Sequence, residues 1–276
     1  MKFLEFWQLK HKPFEFTKDS QFFYESKGHG EALARLFYLI EDKNMNIGLL
    51  TGEIGCGKTM TWTFLVNQIN RDEYKIAVLD FSSFTFEDIL KEVIAQISKS
   101  KLNPDKEYSK YELTKRFREI VIEEIAKEDK HLTIILDEAQ QVSDGCLDEL
   151  KNLTNIASEN NNYMTIILVG QPELREKLKK LPQIYQRISL MYHLNCLEPD
   201  EVDEYIKHRL KIAGKSQINV FTKEAVNIIM KSSDCIPRNI NKICKLAFDR
   251  AFALGVKVID EDMITTIVHD FHKQDI

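Results

Sequence analysis

Short apolar runs alternate along the chain with longer stretches of helical period. "NIGLLTG", Asn46 to Gly52, is an apolar run ending in glycine, and Trp62, Leu65, Val66 and Ile69 then recur at the spacing of one helix face. "KIAVLDF", Lys75 to Phe81, reads as a second strand, and a helix from Phe86 to Ser98 carries Ile89, Val93, Ala95 and Ile97. A polar surface loop, Lys99 to Lys110, leads to a helix over Tyr111 to Lys127. A third apolar run, "LTIILDEAQ", spans Leu132 to Gln140 and ends in acid. A helix starting near Asp144 precedes a fourth run, "MTIILVGQPEL", Met164 to Leu174, and a weaker fifth lies at Leu190 to Leu194. Five strands separated by helices predict an α/β fold, a five-stranded parallel sheet flanked by helices, with ligands at the carboxyl ends of its strands.

Beyond Glu198 the pattern changes. Segments of helical period cover Pro199 to Ile212, Thr222 to Lys231 and Pro237 to Leu254, and a fourth runs from Asp260 to about His272. In the third, Ile240, Ile243, Cys244, Ala247, Ala251 and Leu254 share one face. These predict a small all-helical domain over 198–276 behind a core over 46–197. Residues 1–45 form an aromatic segment and helix expected to pack on that core. Lys10, His11 and Lys12 interrupt the stretch that holds Phe6, Trp7, Pro13, Phe14 and Tyr24, so it is too short and too charged to anchor in a bilayer.

The turn after the first strand carries the chemistry. In "LLTGEIGCGKTMTW", Gly52, Gly57, Lys58 and Thr59 fit G-x-x-x-x-G-K-[ST], the pattern of a phosphate-binding loop. Gly52, Glu53, Ile54, Gly55, Cys56, Gly57, Lys58, Thr59 and Met60 form the candidate site for ATP or GTP. Backbone N–H groups of such a turn converge on phosphate oxygens, Lys58 reaches the β- and γ-phosphates, and the Thr59 hydroxyl can ligate Mg²⁺. A strand before and a helix after the motif give it the required context.

Asp137 and Glu138 follow the third strand directly. A carboxylate there can hold Mg²⁺, and a second can orient or deprotonate the water that attacks the γ-phosphate. Adjacent acids also end strands and cap helices; the phosphate loop about eighty residues upstream weighs against that reading. The pair favours hydrolysis over binding alone. Gln171 ends the fourth strand, where a polar side chain can touch the γ-phosphate or the attacking water. Arg187 and Arg238 are candidate cations for the departing phosphate, although each taken singly reads as a surface arginine.

Composition narrows the classes. With 276 residues, 43% of them hydrophobic, the chain can build a sizeable core, and no apolar run approaches the length of a membrane span, so a cytoplasmic location is expected. A net charge of −5 argues against a simple nucleic-acid coat, although Lys207 to Lys215 and Arg238 to Lys245 are locally basic. The five cysteines are odd in number and lack a C-x-x-C pair, which argues against a disulfide framework and a structural zinc site. Cys56 lies inside the phosphate loop, where a redox switch is one reading and a position open to many residue types the favoured one.

Together the boxes "GEIGCGKT" and "LTIILDEAQ", the segments "LVGQPEL" and "QRISLMYHL", and "IPRNIN" resemble the AAA+ ATPases of the ExeA type and their relatives in transposition. The opening, with its aromatic-x-x-L…PF pattern and Y-x-S-x-x-H-x-E-A-L helix, is similar too, so the resemblance runs from about Phe3 to His269. It implies a P-loop NTPase of the AAA+ class with a helical lid. Lys58 and Thr59 then contact phosphate and Mg²⁺, Asp137 is the Walker B acid and Glu138 the catalytic glutamate. Gln171 matches sensor 1 and Arg238 sensor 2, Arg187 matches the arginine that acts across a subunit boundary, and Tyr24 and His29 lie near the adenine. Cys235 stands ahead of "IPR" where the family usually has glycine.

The resemblance further implies an ATP-dependent homo-oligomer, ring or filament. Its partner is a secretion or pilus assembly protein in one reading, and a transposase and DNA in the other. Without the membrane segment and peptidoglycan-binding region of the secretion ATPases that name the type, the chain is expected to act like the stand-alone ATPases of pilus systems and transposons.

Overall fold

The most uniformly apolar runs of the chain lie side by side at the centre of one parallel sheet. The computed structural model describes residues 2–17, 19–80, 85–99, 101–154, 157–158, 161–215 and 219–274. In chain order its strands are β1 (Ile47–Gly52), β2 (Tyr74–Leu79), β3 (His131–Leu136), β4 (Ala157–Ser158), β5 (Asn161–Asn162), β6 (Met164–Gly170) and β7 (Ile188–Leu194). Its helices are α1 (Phe3–Trp7), α2 (Lys27–Glu41), α3 (Lys58–Gln68), α4 (Phe86–Ile97), α5 (Lys110–Ile120), α6 (Asp144–Leu153), α7 (Pro172–Lys179), α8 (Pro182–Tyr185), α9 (Glu201–Ile212), α10 (Lys223–Ser232), α11 (Pro237–Leu254) and α12 (Glu261–Gln274). Phe81, the last residue of the expected second strand, lies outside the described residues.

Two compact units divide the chain: residues 31–53 with 61–194, and residues 1–30 with 54–60 and 195–276. The first holds the sheet, in the order β2-β3-β6-β1-β7 with every neighbour parallel. Every residue of β1, β3 and β6 is buried, as strands covered on both faces must be. The edge strands β2 and β7 bury only part of their length. Strand ends are aligned by register: Thr51 pairs with Gly170, and Leu136 with Leu168. The acids after β3, the glutamine after β6 and the end of β1 therefore reach one edge of the sheet.

Capping boxes start two of the helices, Thr85 with Asp88 at α4 and Ser109 with Glu112 at α5. The helix expected to run unbroken to Lys127 instead widens after Ile120 into a π-helical stretch, Val121–Ala126, in which Val121 and Ile125 are fully buried. A two-residue antiparallel pair, β4 with β5, stands apart from the main sheet.

The second unit has its own core, contributed by α9 to α12 and the N-terminal segment. Ile240, Ile243, Cys244, Ala247 and Ala251 of α11 are buried as the spacing predicts, whereas Leu254, in the last turn, is 62% exposed. The aromatics of the N-terminal segment were expected against the core of residues 46–197; Trp7 and Phe14 instead complete this helical core. The Trp7 ring centre lies 4.3 Å from that of Phe248, and Phe14 lies 5.3 Å from the same ring. A small unit built on four helices has little apolar area of its own, and large rings supply roughly 150–250 Å² each. Arg209 secures the segment by donating to the carbonyls of Pro13 and Glu15, at 2.6 and 2.9 Å. Among the described residues no helix is long and apolar enough to cross a membrane.

Candidate functional site

Where β1 ends, the chain turns through Gly52 to Gly57 and enters α3 at Lys58, so a helix amino end with its partial positive charge follows the turn directly. Gly55 and Gly57 have φ of +89° and +104°, a region that L side chains disfavour. Their neighbours close the space as well: a Cβ at Gly55 would lie 2.7 Å from Arg238 Cβ, and one at Gly57 2.5 Å from His29 Nε2. The Arg238 N–H donates to the Gly55 carbonyl at 3.3 Å. Arg238 is the second residue of α11, after Pro237 at its first position, which is how the "IPR" turn delivers its backbone to the loop. Lys58 is buried, while Glu53 and Ile54 are exposed.

His29 is packed against this loop. Its Nε2 lies 3.1 Å from the Cys56 carbonyl and its Nδ1 2.6 Å from Ser26 Oγ. A carbonyl only accepts, so the neutral ring carries its proton on Nε2, and the Ser26 hydroxyl donates to Nδ1. Burial pulls the imidazole down to about 4 from the usual 6.5, outweighing the upward pull of the Cys56 carbonyl and the Glu201 charge. As pH falls the unfolded chain takes up this proton first. The stability owed to neutral His29 is therefore whole above about pH 6.5, falls between about 6.5 and 4, and is flat below. Going from about pH 7 to about pH 5 should cost about 2 kcal/mol through this residue. His29→Gln keeps a donor for Cys56 and does not titrate, so urea melts at the two pH values should show that much less loss than wild type. Because burial also pulls His131 down to about 4, the difference between the two proteins isolates His29; equal losses would dismiss it.

A second group of candidate side chains, within the unit that holds the sheet, follows β3. Asp137 is buried, and its Oδ2 accepts the Trp62 indole N–H at 2.8 Å, while its Oδ1 accepts the N–H of Glu138 at 2.9 Å. Trp62 stands on α3, one turn past Lys58 and Thr59. Glu138 itself takes a left-handed backbone, φ 52° and ψ 34°, which costs a non-glycine residue about 1–2 kcal/mol. Strain of this kind collects at functional sites. A 3₁₀ turn over Ala139–Gln141 then brings Gln140 back onto Glu138. The Gln140 amide donates to Glu138 Oε2 at 2.6 Å and its Oε1 accepts from the Gln171 N–H at 3.2 Å. Gln171 Nε2 also faces Glu138 Oε2, at 3.5 Å. Gln171 begins α7 without using its side chain as a cap, which leaves its amide available for the acid.

Two further expected site residues, Arg187 and Tyr24, have partners of their own. Arg187 immediately precedes β7, and its Nη1 donates to Thr154 Oγ1 at 2.9 Å. Tyr24 donates its hydroxyl to Glu204 at 3.0 Å and lies with its ring edge to Tyr205. Two contributors were missed in the sequence. Gln140 sits in the quoted acidic box, but only the local 3₁₀ turn aims it at Glu138. Trp62 counts among the apolar positions of its helix, and periodicity hides its N–H. At Cys235 the departure from the family's glycine has a visible meaning: Cys235 and Asp234 both have positive φ, 55° and 51°, the conformation glycine would accept without strain.

A family model described as an AAA domain matches residues 41–178. The chain is 35% identical over 264 residues, 95% of its length, to general secretion pathway protein A of Aeromonas hydrophila, and spans 47% of that protein, about half its length. It is 25% identical to a Staphylococcus aureus protein described as a potential ATP-binding protein, over 68% of this chain and 74% of that one. Among solved structures it is similar to the Aeropyrum pernix ORC2 protein in its ADPNP–ADP complexes, with a TM-score of 0.67 and 20% identity over 91% of this chain and 71% of that one. With Cdc6p from Pyrobaculum aerophilum the TM-score is 0.69 at 19% identity, over 87% and 68% of the two chains. At these identities the likeness establishes the fold.

Proposed function

Because the chain belongs to the AAA domain family, we propose that it binds ATP with Mg²⁺ and hydrolyses it between copies of itself, and that the cycle drives assembly or remodelling of a secretion- or pilus-type partner complex. The observation that supports hydrolysis is Glu138, a carboxylate two residues past a buried strand, with a strained backbone and with two glutamine amides on its Oε2. The loop glycines at 55 and 57 hold left-handed backbone and pack too closely on Arg238 and His29 to admit a Cβ, and the hydroxyl of Thr59 and the carboxylate of Asp137 are each hard oxygen donors of the kind that Mg²⁺ prefers. When bound, Mg²⁺ neutralises charge on the β- and γ-phosphates.

In this reading Lys58 binds the β- and γ-phosphates and Glu138 orients and deprotonates the attacking water. Gln171 holds that water or the γ-phosphate from the neighbouring strand end. Arg187 acts on the ATP of an adjoining copy, and Arg238 meets the phosphates from the start of α11. Tyr24 and His29 belong to the adenine side, His29 acting through its bond to Cys56.

The partner class rests on the 35% identical secretion protein. The basic runs support it over a DNA partner, since several of their cations are engaged by the chain itself. Lys207 pairs with Asp203, Lys245 with Glu15, and Lys215 with the Trp7 carbonyl, at 2.6, 2.8 and 2.6 Å. Lys58→Ala is the test of the site. Calorimetric titration should show ATP affinity lowered by about a hundredfold or more, about 3 kcal/mol, with an unchanged thermal midpoint. Wild-type affinity in the variant would refute the nucleotide site.

A further inference from the structure

Cys56 and Cys196 are 140 residues apart in the chain, yet their Sγ atoms lie 2.9 Å apart. Cys56 is fully buried between Gly55 and Gly57; Cys196, two residues past β7, is partly exposed. Both belong to the same compact unit. Of the other thiols, Cys235 stands near enough to Cys196 that, after burial, the neighbouring thiol helps push it up. Cys146 and Cys244 are buried in separate hydrophobic cores, where burial pushes the first up to about 11 and the second upward too. Cys235 turns its Sγ toward the Met230 carbonyl, while its own carbonyl accepts from the Leu197 N–H.

We propose that Cys56 and Cys196 are a modification site, a thiol pair that hydrogen peroxide converts to a disulfide and that thereby locks the phosphate loop; the effect on nucleotide rests on the ATP reading above. Cys196, the accessible partner, attacks one peroxide oxygen as its thiolate. The O–O bond breaks, the other oxygen leaves with a proton as water, and the sulfur becomes a sulfenic acid. Cys56 then attacks that sulfur, the S–O bond breaks, and the second oxygen leaves as water. Two thiols lose two electrons and two protons, and one peroxide gains both. A dithiol reverses the step.

The bond requires the sulfurs to close from their present contact to about 2.05 Å. Cys56 follows this movement against resistance, because the glycines beside it hold left-handed backbone and its carbonyl accepts from His29. Binding groups placed to within about 0.5 Å do not tolerate such displacement, so the oxidised chain should bind ATP about tenfold more weakly.

The test uses the full reduced chain, treated with hydrogen peroxide and then with dithiothreitol, with intact mass, peptide mapping and ATP titration at each stage. A mass loss of two hydrogens, a mapped Cys56–Cys196 peptide and about tenfold weaker ATP binding restored by dithiothreitol support the proposal. Cys196→Ser should form no such link and keep its affinity in peroxide. Linkage of Cys196 to Cys235, stable sulfinic acid in place of a link, or equal loss of affinity in Cys196→Ser would overturn it. A mapped link that leaves affinity unchanged would overturn the locking. Should the reduced chain bind no ATP, the nucleotide reading fails, while a mapped link still establishes the disulfide site.

Discussion

Glu138→Gln should bind ATP as wild type does and turn it over roughly a hundredfold to ten-thousandfold more slowly, the span expected when a general base is removed. The exchange is close to isosteric, and the surroundings accept it. Glu138 Oε2 takes its donors from the amides of Gln140 and Gln171, and a glutamine in its place can turn its own oxygen to those donors. The left-handed turn is held by the Glu138 N–H to Asp137 Oδ1, which the exchange leaves alone. What disappears is the capacity to take a proton from water. The separation of effects is therefore specific: affinity by calorimetry unchanged, single-turnover hydrolysis nearly absent. Unchanged turnover would take Glu138 out of the proposed chemistry. Loss of affinity in step with turnover would mean that it holds the nucleotide.

What the residues disclosed in advance depended on how local each signal is. The phosphate loop and the acids after β3 were legible because their spacing along the chain is itself the chemistry. The central strands were legible because burial on both faces demands unbroken apolar runs. β7 read as weak, and began two residues late at Leu190, because this edge strand leaves most of its side chains only partly buried. The clasp of Gln140 on Glu138 was not legible, since it exists only once Glu138 adopts a positive φ that composition does not announce. Nor did the aromatic N-terminus say which core it would enter. Trp7 and Phe14 are apolar enough for either, and the choice was made by Phe248 and by the reach of Arg209 to two backbone carbonyls. The proximity of Cys56 to Cys196 is long-range in the same sense: nothing in either segment marks the other.

Arg187→Ala should bind ATP nearly normally and hydrolyse it roughly a thousandfold more slowly or worse, as when an arginine supplied from a neighbour is withdrawn. Sheet geometry motivates this. β7 runs parallel to β1, with Ile188 beside Ile47 and Leu194 beside Gly52. Arg187 thus stands at the amino ends of these strands, and the phosphate loop leaves from the carboxyl end of β1. At about 3.3 Å per residue the six residues of β1 separate the two ends by about 17 Å, beyond the reach of one side chain. An Arg187 that serves hydrolysis must then serve the ATP of another copy, and wild-type activity should rise more than linearly with protein concentration. Arg187→Ala keeps an intact loop and Lys58→Ala keeps an intact arginine, so mixing the two inactive variants should recover part of the activity in mixed interfaces. The competing role is structural, through the bond from Arg187 to Thr154 Oγ1. Thr154→Val removes that acceptor and spares the arginine, so a purely structural role would make it as inactive as Arg187→Ala, whereas a role in trans leaves it close to wild type. If the mixture stays dead although both variants fold and co-assemble, Arg187 acts only within its own subunit, and the bond to Thr154 is what its loss disrupts.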